Sequence, residues 1–259
     1  MIQLELLIII IIFAFIFEFV DTALGGGYGT IMTPLLLIFS LQRLDIVPAI
    51  LFSEIFTGIS GATMHHFYGN ADFSREGKTN WNIFILISII GIGATIFAVF
   101  LAVELDKLII NTYIGILVLF IGVLMMLNRK YKFSWKKIGI VGTISAFNKS
   151  ISGGGFGPLI TAGQVVSGRD TKNSIATALA CEAPICLAGL ITYFVLESST
   201  TDFLLLSLAL IIGAVPATIV GAFTTKKIKD EYRFKQLTGV FIILLGAFVL
   251  LKTYKIIFP

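Results

Sequence analysis

Apolar residues run through this chain in blocks of membrane-crossing length, separated by short polar loops. A helix that crosses the hydrocarbon core needs about 20 apolar residues, with about 17–25 as the working range. Six blocks meet that requirement: 45–67, 81–103, 107–127, 171–196, 201–223 and 234–257. Two further apolar stretches, 2–39 and 138–167, are interrupted. The first breaks at Gly25, Gly26 and Gly27, followed by Tyr28 and Gly29; the second breaks at Gly153, Gly154 and Gly155, followed by Phe156 and Gly157. A glycine triplet makes a sharp reversal cheap and costs helix continuity, so each stretch predicts a hairpin of broken helices. The fold class is all-α and polytopic.

Sliding the sequence by 128 residues superposes the two breaks without a gap. The same shift brings Thr33 onto Thr161, Glu54 onto Glu182 and Gly61 onto Gly189, and at a shift of 124 Gly115 and Gly122 meet Gly239 and Gly246. So long a match at a nearly fixed shift is an internal duplication. It divides the chain into a first repeat, 1–128, a basic linker, 129–137, and a second repeat, 138–259. Each repeat reads as a hairpin followed by three spans.

Composition removes the soluble alternatives. The chain is 57% hydrophobic and 13% charged, with a mean hydropathy of +0.98, whereas soluble domains carry about 25% charged residues. The 25 Gly and 6 Pro suit packed membrane helices. A net charge of +4 invites nucleic acid as a partner, but the basic residues lie in short loops between apolar runs, which is a membrane-topology signal. Cys181 and Cys186 point about 140° apart on a helix, which argues against a disulfide or a metal pair. The segment 1–20 has no basic n-region and no small-residue cleavage site, so it reads as a retained helix and not a signal peptide.

Orientation follows from counting Lys and Arg, which accumulate on the cytoplasmic side. If each hairpin enters and leaves on one face, the inner loops hold 14 basic residues and the outer loops 4; if each is a single crossing, the count is 9 against 9. The first arrangement is selected. Each repeat then crosses an odd number of times, so the repeats are inverted and both termini lie outside. Whether the hairpins are re-entrant or fully spanning stays open at this point.

The chemistry concentrates at the two breaks. Non-helical backbone at membrane depth is tolerated where it is buried in protein or lines a cavity, and each break precedes a helix N-terminus whose first amides lack intrahelical partners. Such a terminus attracts anions. The predicted ligand is therefore a small anion held between two opposed helix starts, at Gly25, Gly26, Gly27 and Tyr28, and at Gly153, Gly154, Gly155 and Phe156. The plainer alternative is that the glycines only allow close helix packing.

Lys149 lies in apolar sequence four residues before the second triplet, flanked by Asn148, Ser150 and Ser152. An ionisable residue at membrane depth is functional by default. Asp21 occupies the equivalent place in the first repeat, so Lys149 is expected either to pair with Asp21 or to bind substrate while Asp21 carries a proton. Snorkelling is the alternative, but Lys149 is about 18 Å of helix from the basic loop at Lys136 and Lys137. Glu54 and Glu182, at matched positions, are candidates for a proton relay or for protonated ties between helices. Glu18 is one turn from Asp21. His65 and His66 read as interfacial residues. There is no HExxH, no CxxC, no GxxxxGK[ST] and no GxSxG, hence no expected metal, cofactor or catalytic residue.

The paired strings running from Asp21 through the first triplet to Leu35, and from Lys149 through the second to Leu159, resemble the signature of the TauE/SafE sulfite exporter family of membrane transporters. The resemblance covers nearly the whole chain. It implies a small sulfur-containing anion or organosulfonate as partner and a prokaryotic inner membrane as location. The copies differ where Pro158 replaces Thr30 and Ala162 replaces Pro34. The reading is a secondary transporter working by alternating access, with Lys149 as counter-charge, Thr30, Thr33, Ser152 and Thr161 as hydroxyl donors, and no ATPase module. The identity of the anion, the direction of transport, the coupling ion and the oligomeric state stay open. An anion channel and an intramembrane enzyme are its rivals.

Overall fold

The computed structural model describes residues 4–39, 41, 43–74, 76–102, 107–127, 132–196 and 202–254. Among them lie ten α-helices and no strand: α1 (Leu4–Leu24), α2 (Tyr28–Ile38), α3 (Arg43–Phe67), α4 (Lys78–Ala102), α5 (Lys107–Met126), α6 (Trp135–Ser152), α7 (Phe156–Val166), α8 (Thr171–Leu196), α9 (Asp202–Lys227) and α10 (Glu231–Thr253). The all-helical, polytopic fold class holds, and among the described residues six helices, α1, α3, α4, α8, α9 and α10, are long and apolar enough to cross a membrane; α1 comes from the first interrupted stretch, and α5, from the block 107–127, is not among these six. Residues 129–131 of the basic linker lie outside the described residues.

Local chemistry sets the breaks. Helix α6 starts where the Ser134 side chain accepts from the Lys137 amide, and it ends at Gly153, which has a φ of 72° and returns its N–H to the Lys149 carbonyl. Helix α1 ends in the same way, with Gly25 at a φ of 87° donating to the Asp21 carbonyl at 2.7 Å. A left-handed residue just past a helix is a glycine position because a Cβ would be strained there. The chain turns and restarts as α2 and α7, each 11 residues long. At 1.5 Å per residue each is about 16 Å, roughly half the hydrocarbon thickness.

Helix packing repeats itself with the halves exchanged. A Cβ on Gly61 of α3 would stand 3.0 Å from Leu179 of α8, and one on Gly189 of α8 would stand 3.2 Å from Leu51 of α3. The same reciprocity joins α5 and α10, where Gly115 meets Leu250, Gly239 meets Met126, Gly122 meets Ile243 and Gly246 meets Leu119. In both pairs the early part of one helix touches the late part of the other, so α3 runs antiparallel to α8, and α5 to α10. By the same test α1 lies parallel to α9, with Gly213 against Ala14 and Gly221 against Thr22, and α4 lies parallel to α6, with Gly91 against Ala146 and Gly142 against Ile87. Small residues at these crossings let the backbones approach where no hydrophobic force drives helices together.

The distribution of side chains is that of a protein dissolved in lipid. Ile8, Ile12, Ile89, Phe97, Phe120, Leu204 and Ile212 face outward, while Glu18, Asp21, Glu54, Lys149 and Glu182 are buried. Ionisable groups at membrane depth face the interior of the bundle, where partners are available.

Candidate substrate site at the glycine elbows

The two glycine triplets meet backbone to backbone. A Cβ on Gly154 would lie 2.7 Å from the Thr30 nitrogen, and one on Gly26 would overlap the nitrogen of Pro158, the residue equivalent to Thr30. A Cβ on Gly29 would overlap the Gly153 carbonyl oxygen, and one on Gly157 would stand 2.9 Å from the Gly26 Cα. Every contact has its mate in the other half. The elbows therefore need glycine for two reasons: positive φ at Gly25, Gly26, Gly27, Gly153 and Gly155, and room for the opposing backbone. The Gly155 amide donates to Thr30 Oγ1 at 2.8 Å, which stitches one elbow to the other.

Lys149 projects from the last turn of α6 into this centre and is 2% exposed. Its ammonium is in contact with Glu54 Oε2 of α3 and lies 3.4 Å from Glu182 Oε1 of α8. Glu54 Oε2 also accepts from the Cys186 thiol at 3.5 Å. The ion pair with Asp21, one of the two arrangements expected, is not formed; that carboxylate accepts instead from the Tyr28 amide at the start of α2, at 3.4 Å, and its Oδ1 is 3.0 Å from where a Cβ on Gly157 would stand, at the start of α7. Burial also removes snorkelling as an account of Lys149. Both cysteines are free thiols.

The remaining expected residues divide by environment. Tyr28 turns its hydroxyl to Ser53 Oγ at 3.0 Å, Phe156 is fully buried and Asn148 is 1% exposed. Glu18 accepts from Thr22 Oγ1 at 2.8 Å. Thr33 and Thr161 are buried, and neither hydroxyl has a hydrogen-bond partner among the described residues. Each sits against the other half's elbow: Thr161 Oγ1 is 2.9 Å from a Cβ on Gly25, and Thr33 Oγ1 is 3.0 Å from one on Gly153. The side chain of Ser152 is outside the described residues. Asp21, Gly25, Gly157, Thr161 and Glu182 line a narrow gap that does not admit a water-sized sphere.

Two residues have partners that the sequence reading did not give them. His65, read as an interfacial residue, is fully buried within the protein: its Nε2 lies 3.0 Å from the Thr22 carbonyl, and Asn70 Nδ2 lies 3.2 Å from its Nδ1. Asn70 thereby sets the tautomer, with Nε2 donating to Thr22. Shifting by 128 turns this pair into Tyr193 and Ser150, and the Tyr193 hydroxyl does donate to the Ser150 carbonyl at 3.1 Å. Arg169, counted above only as a loop charge, is the second. Its guanidinium is in contact with Gln164 Oε1 and Asn80 Oδ1 and lies 2.7 Å from Thr177 Oγ1, so it clasps α4, α7 and α8. Burial among neutral acceptors pulls it down to about 10, opposed by Asp170. No spacing rule marks such a loop arginine.

The family model described as "Sulfite exporter TauE/SafE" matches residues 10–249. The chain belongs to that family. A relative in Bacillus subtilis (strain 168), described as "Probable membrane transporter protein YtnM", is 26% identical over 264 residues, covering 95% of this chain and 84% of the relative. No solved structure matches. As a TauE/SafE protein the chain is a multi-pass membrane transporter, in agreement with its six candidate spans. The elbows, Lys149, Glu54 and Glu182 all fall inside the matched region.

Proposed function

We propose that this protein is a secondary transporter of a small oxyanion, a sulfur oxyanion such as sulfite or an organosulfonate, working by alternating access between two inverted repeats. The repeats are 1–128 and 138–259, joined by the basic linker 129–137, with both termini outside. Support for the inverted arrangement comes from the reciprocal contacts: equivalent helices that cross antiparallel are related by an axis perpendicular to them, which lies in the membrane plane.

The observation that carries the functional reading is the burial of Lys149 at the junction of the two elbows. A buried ammonium beside two helix N-termini supplies the positive charge and the amide donors that an oxyanion needs. The anion is held by Lys149, by the amides near Gly25–Tyr28 and Gly153–Phe156, and by Thr30 and Thr33, with Asn148, Ser152 and Thr161 alongside. Asp21, Glu54 and Glu182 are the candidates for coupling to protons. In the structure described, the elbow backbones are in direct contact, with the Gly155 amide on Thr30 Oγ1. Passage requires the elbows to part toward one face at a time, which rocking one repeat against the other achieves.

The test uses purified protein in liposomes, with sulfite, sulfate, thiosulfate, sulfoacetate and taurine as substrates. The reading expects saturable flux with counterflow for at least one of them, recovered chemically unaltered. Non-saturating flux without counterflow would establish the channel reading instead, and altered product would establish an enzyme.

A further inference from the structure

The two halves build two half-sites on one framework, and the half-sites carry opposite charge. Exchanging the halves maps Gly153 onto Gly25, Thr33 onto Thr161 and Glu54 onto Glu182. It also maps Val47, 3.3 Å from a Cβ on Gly153, onto Ile175, 2.7 Å from one on Gly25. The residue that breaks the correspondence is the one before each elbow: Lys149 in one half-site, Asp21 in the other. The first half-site is therefore an ammonium in contact with Glu54. The second is a gap where two carboxyl-bearing residues, Asp21 and Glu182, and Thr161 meet the apolar side chains of Ile175, Ala178 and Leu179.

Resting on the anion-transport reading above, we infer that the gap lined by Asp21, Glu182 and Thr161 is the site of the coupling ion, and that this ion is a proton. Two carboxylates that share a water-free gap repel each other, and a bound cation removes the repulsion. Two further atoms point to the same place. Glu182 Oε2 and Thr161 Oγ1 are buried, line the gap and have no hydrogen-bond partner among the described residues. A proton needs no space of its own, whereas a sodium ion needs a shell of oxygens at more than 2 Å, and the gap does not admit a water-sized sphere. The titratable groups that act on the pair are Glu18 on α1, Glu54 on α3, Lys149 on α6 and Cys181 and Cys186 on α8.

Glu182 belongs to both half-sites, since its Oε1 lies 3.4 Å from the Lys149 ammonium. When Glu182 takes the proton it gives up its charge toward Lys149, which is then balanced by Glu54 alone. A proton in one half-site thus raises the affinity of the other for an anion. The reciprocal follows by linkage: a bound anion raises the affinity for the proton. Proton and anion travel together.

The experiment has one readout that needs no substrate. Infrared spectroscopy of the full-length protein in lipid, titrated with pH, is expected to show the carbonyl stretch of a protonated carboxyl at neutral pH. That component is expected to be lost in Asp21→Asn and in Glu182→Gln and kept in Glu54→Gln. Its absence from the wild type, or its persistence in both of the first two variants, overturns the inference. In liposomes, an inward proton gradient is expected to raise wild-type sulfite flux about tenfold or more, and the ratio of flux with and without the gradient is expected to fall to about one in both variants. A sodium gradient that drives the flux in place of the proton gradient also overturns it. If the wild type binds and carries no anion, the transport reading fails, and the infrared result still decides the proton site.

Discussion

Lys149 and Glu54 form an ion pair between α6 and α3, with both side chains 2% exposed, so the two halves of the chain are joined by charge at their common centre. Removing one member of a buried pair strands the other, at a cost of about 3–5 kcal/mol. Lys149→Ala is expected to lower the thermal midpoint substantially and to abolish anion binding. The double variant Lys149→Met with Glu54→Gln separates the two effects. It removes both charges, so it is expected to recover most of the stability while still failing to bind anion. Thermal melts in detergent and an isothermal titration with sulfite read the two quantities, and wild-type affinity in the double variant would refute the counter-charge role of Lys149.

The elbows give a second test, because close approach and helix propensity make opposite demands on glycine. Gly154 has Gly29 and Thr30 backbone atoms 2.7 Å from where its Cβ would stand, whereas Gly93 in α4 has nothing within 4 Å. Gly154→Ala is expected to push the elbows apart and to abolish transport, with reduced yield of folded protein. Gly93→Ala is expected to be neutral or to stabilise by up to about 1 kcal/mol, since alanine is the better helix former. Equal behaviour of the two variants, measured by size-exclusion recovery and liposome flux, would show that the elbow contact is not needed.

These first two tests fall on features of unequal visibility in the sequence. The helices and their breaks were legible because apolar length and glycine triplets are local signals, and α8 begins and ends where its apolar block does. The partner of Lys149 was not legible. The duplication aligns Lys149 with Asp21, which suggests that equivalent residues pair. Antiparallel crossing instead brings each elbow against the other half's third helix, so Lys149 of α6 meets Glu54 of α3. The partner of His65 was not legible for a related reason: it sits in the last turn of α3, and what covers it, the Thr22 carbonyl at the end of α1, is 43 positions away in sequence. The Arg169 clasp depends on Asn80, 89 positions away in sequence, and no local pattern announces that.

The paired hydrogen bonds of His65 and Tyr193 predict matched but unequal losses. Tyr193→Phe removes the donor to the Ser150 carbonyl, and a single such bond between membrane helices is worth about 0.6 kcal/mol on average. His65→Phe removes the donor to Thr22 and also the acceptor facing Asn70, so its destabilisation is expected to be about twice as large. Urea or heat denaturation of the two variants in one detergent gives the comparison; a larger loss in Tyr193→Phe would mean that His65 is not the anchor of α1.

Arg169 offers a test of positioning away from the centre. Its guanidinium serves acceptors on α4, α7 and α8 at once, and lysine cannot reproduce that fork. Arg169→Lys is expected to leave Asn80 Oδ1 without its guanidinium donor and to cost about 1–3 kcal/mol, while leaving the affinity for anion within about twofold, because no contact with the elbows is lost. A large drop in affinity with unchanged stability would place Arg169 in the substrate path.

Thr33 supplies a last prediction, in which stability and function move in different directions. Its hydroxyl is buried beside Gly153 with no hydrogen-bond partner among the described residues, so the folded protein carries the cost of desolvating it without any return. Thr33→Val keeps the shape and removes that cost, and is expected to raise stability by about 1 kcal/mol. If the hydroxyl instead donates to the anion held by Lys149, losing one hydrogen bond to a charged group costs about 1.5–3 kcal/mol of binding, which is roughly a tenfold to hundredfold loss of affinity. Thr161→Val is expected to gain stability in the same way but to change anion affinity less, since its hydroxyl lines the gap of Asp21 and Glu182. Melting curves and sulfite titrations of the two variants, run side by side, decide the matter: a stable Thr33→Val protein with wild-type affinity removes Thr33 from the site.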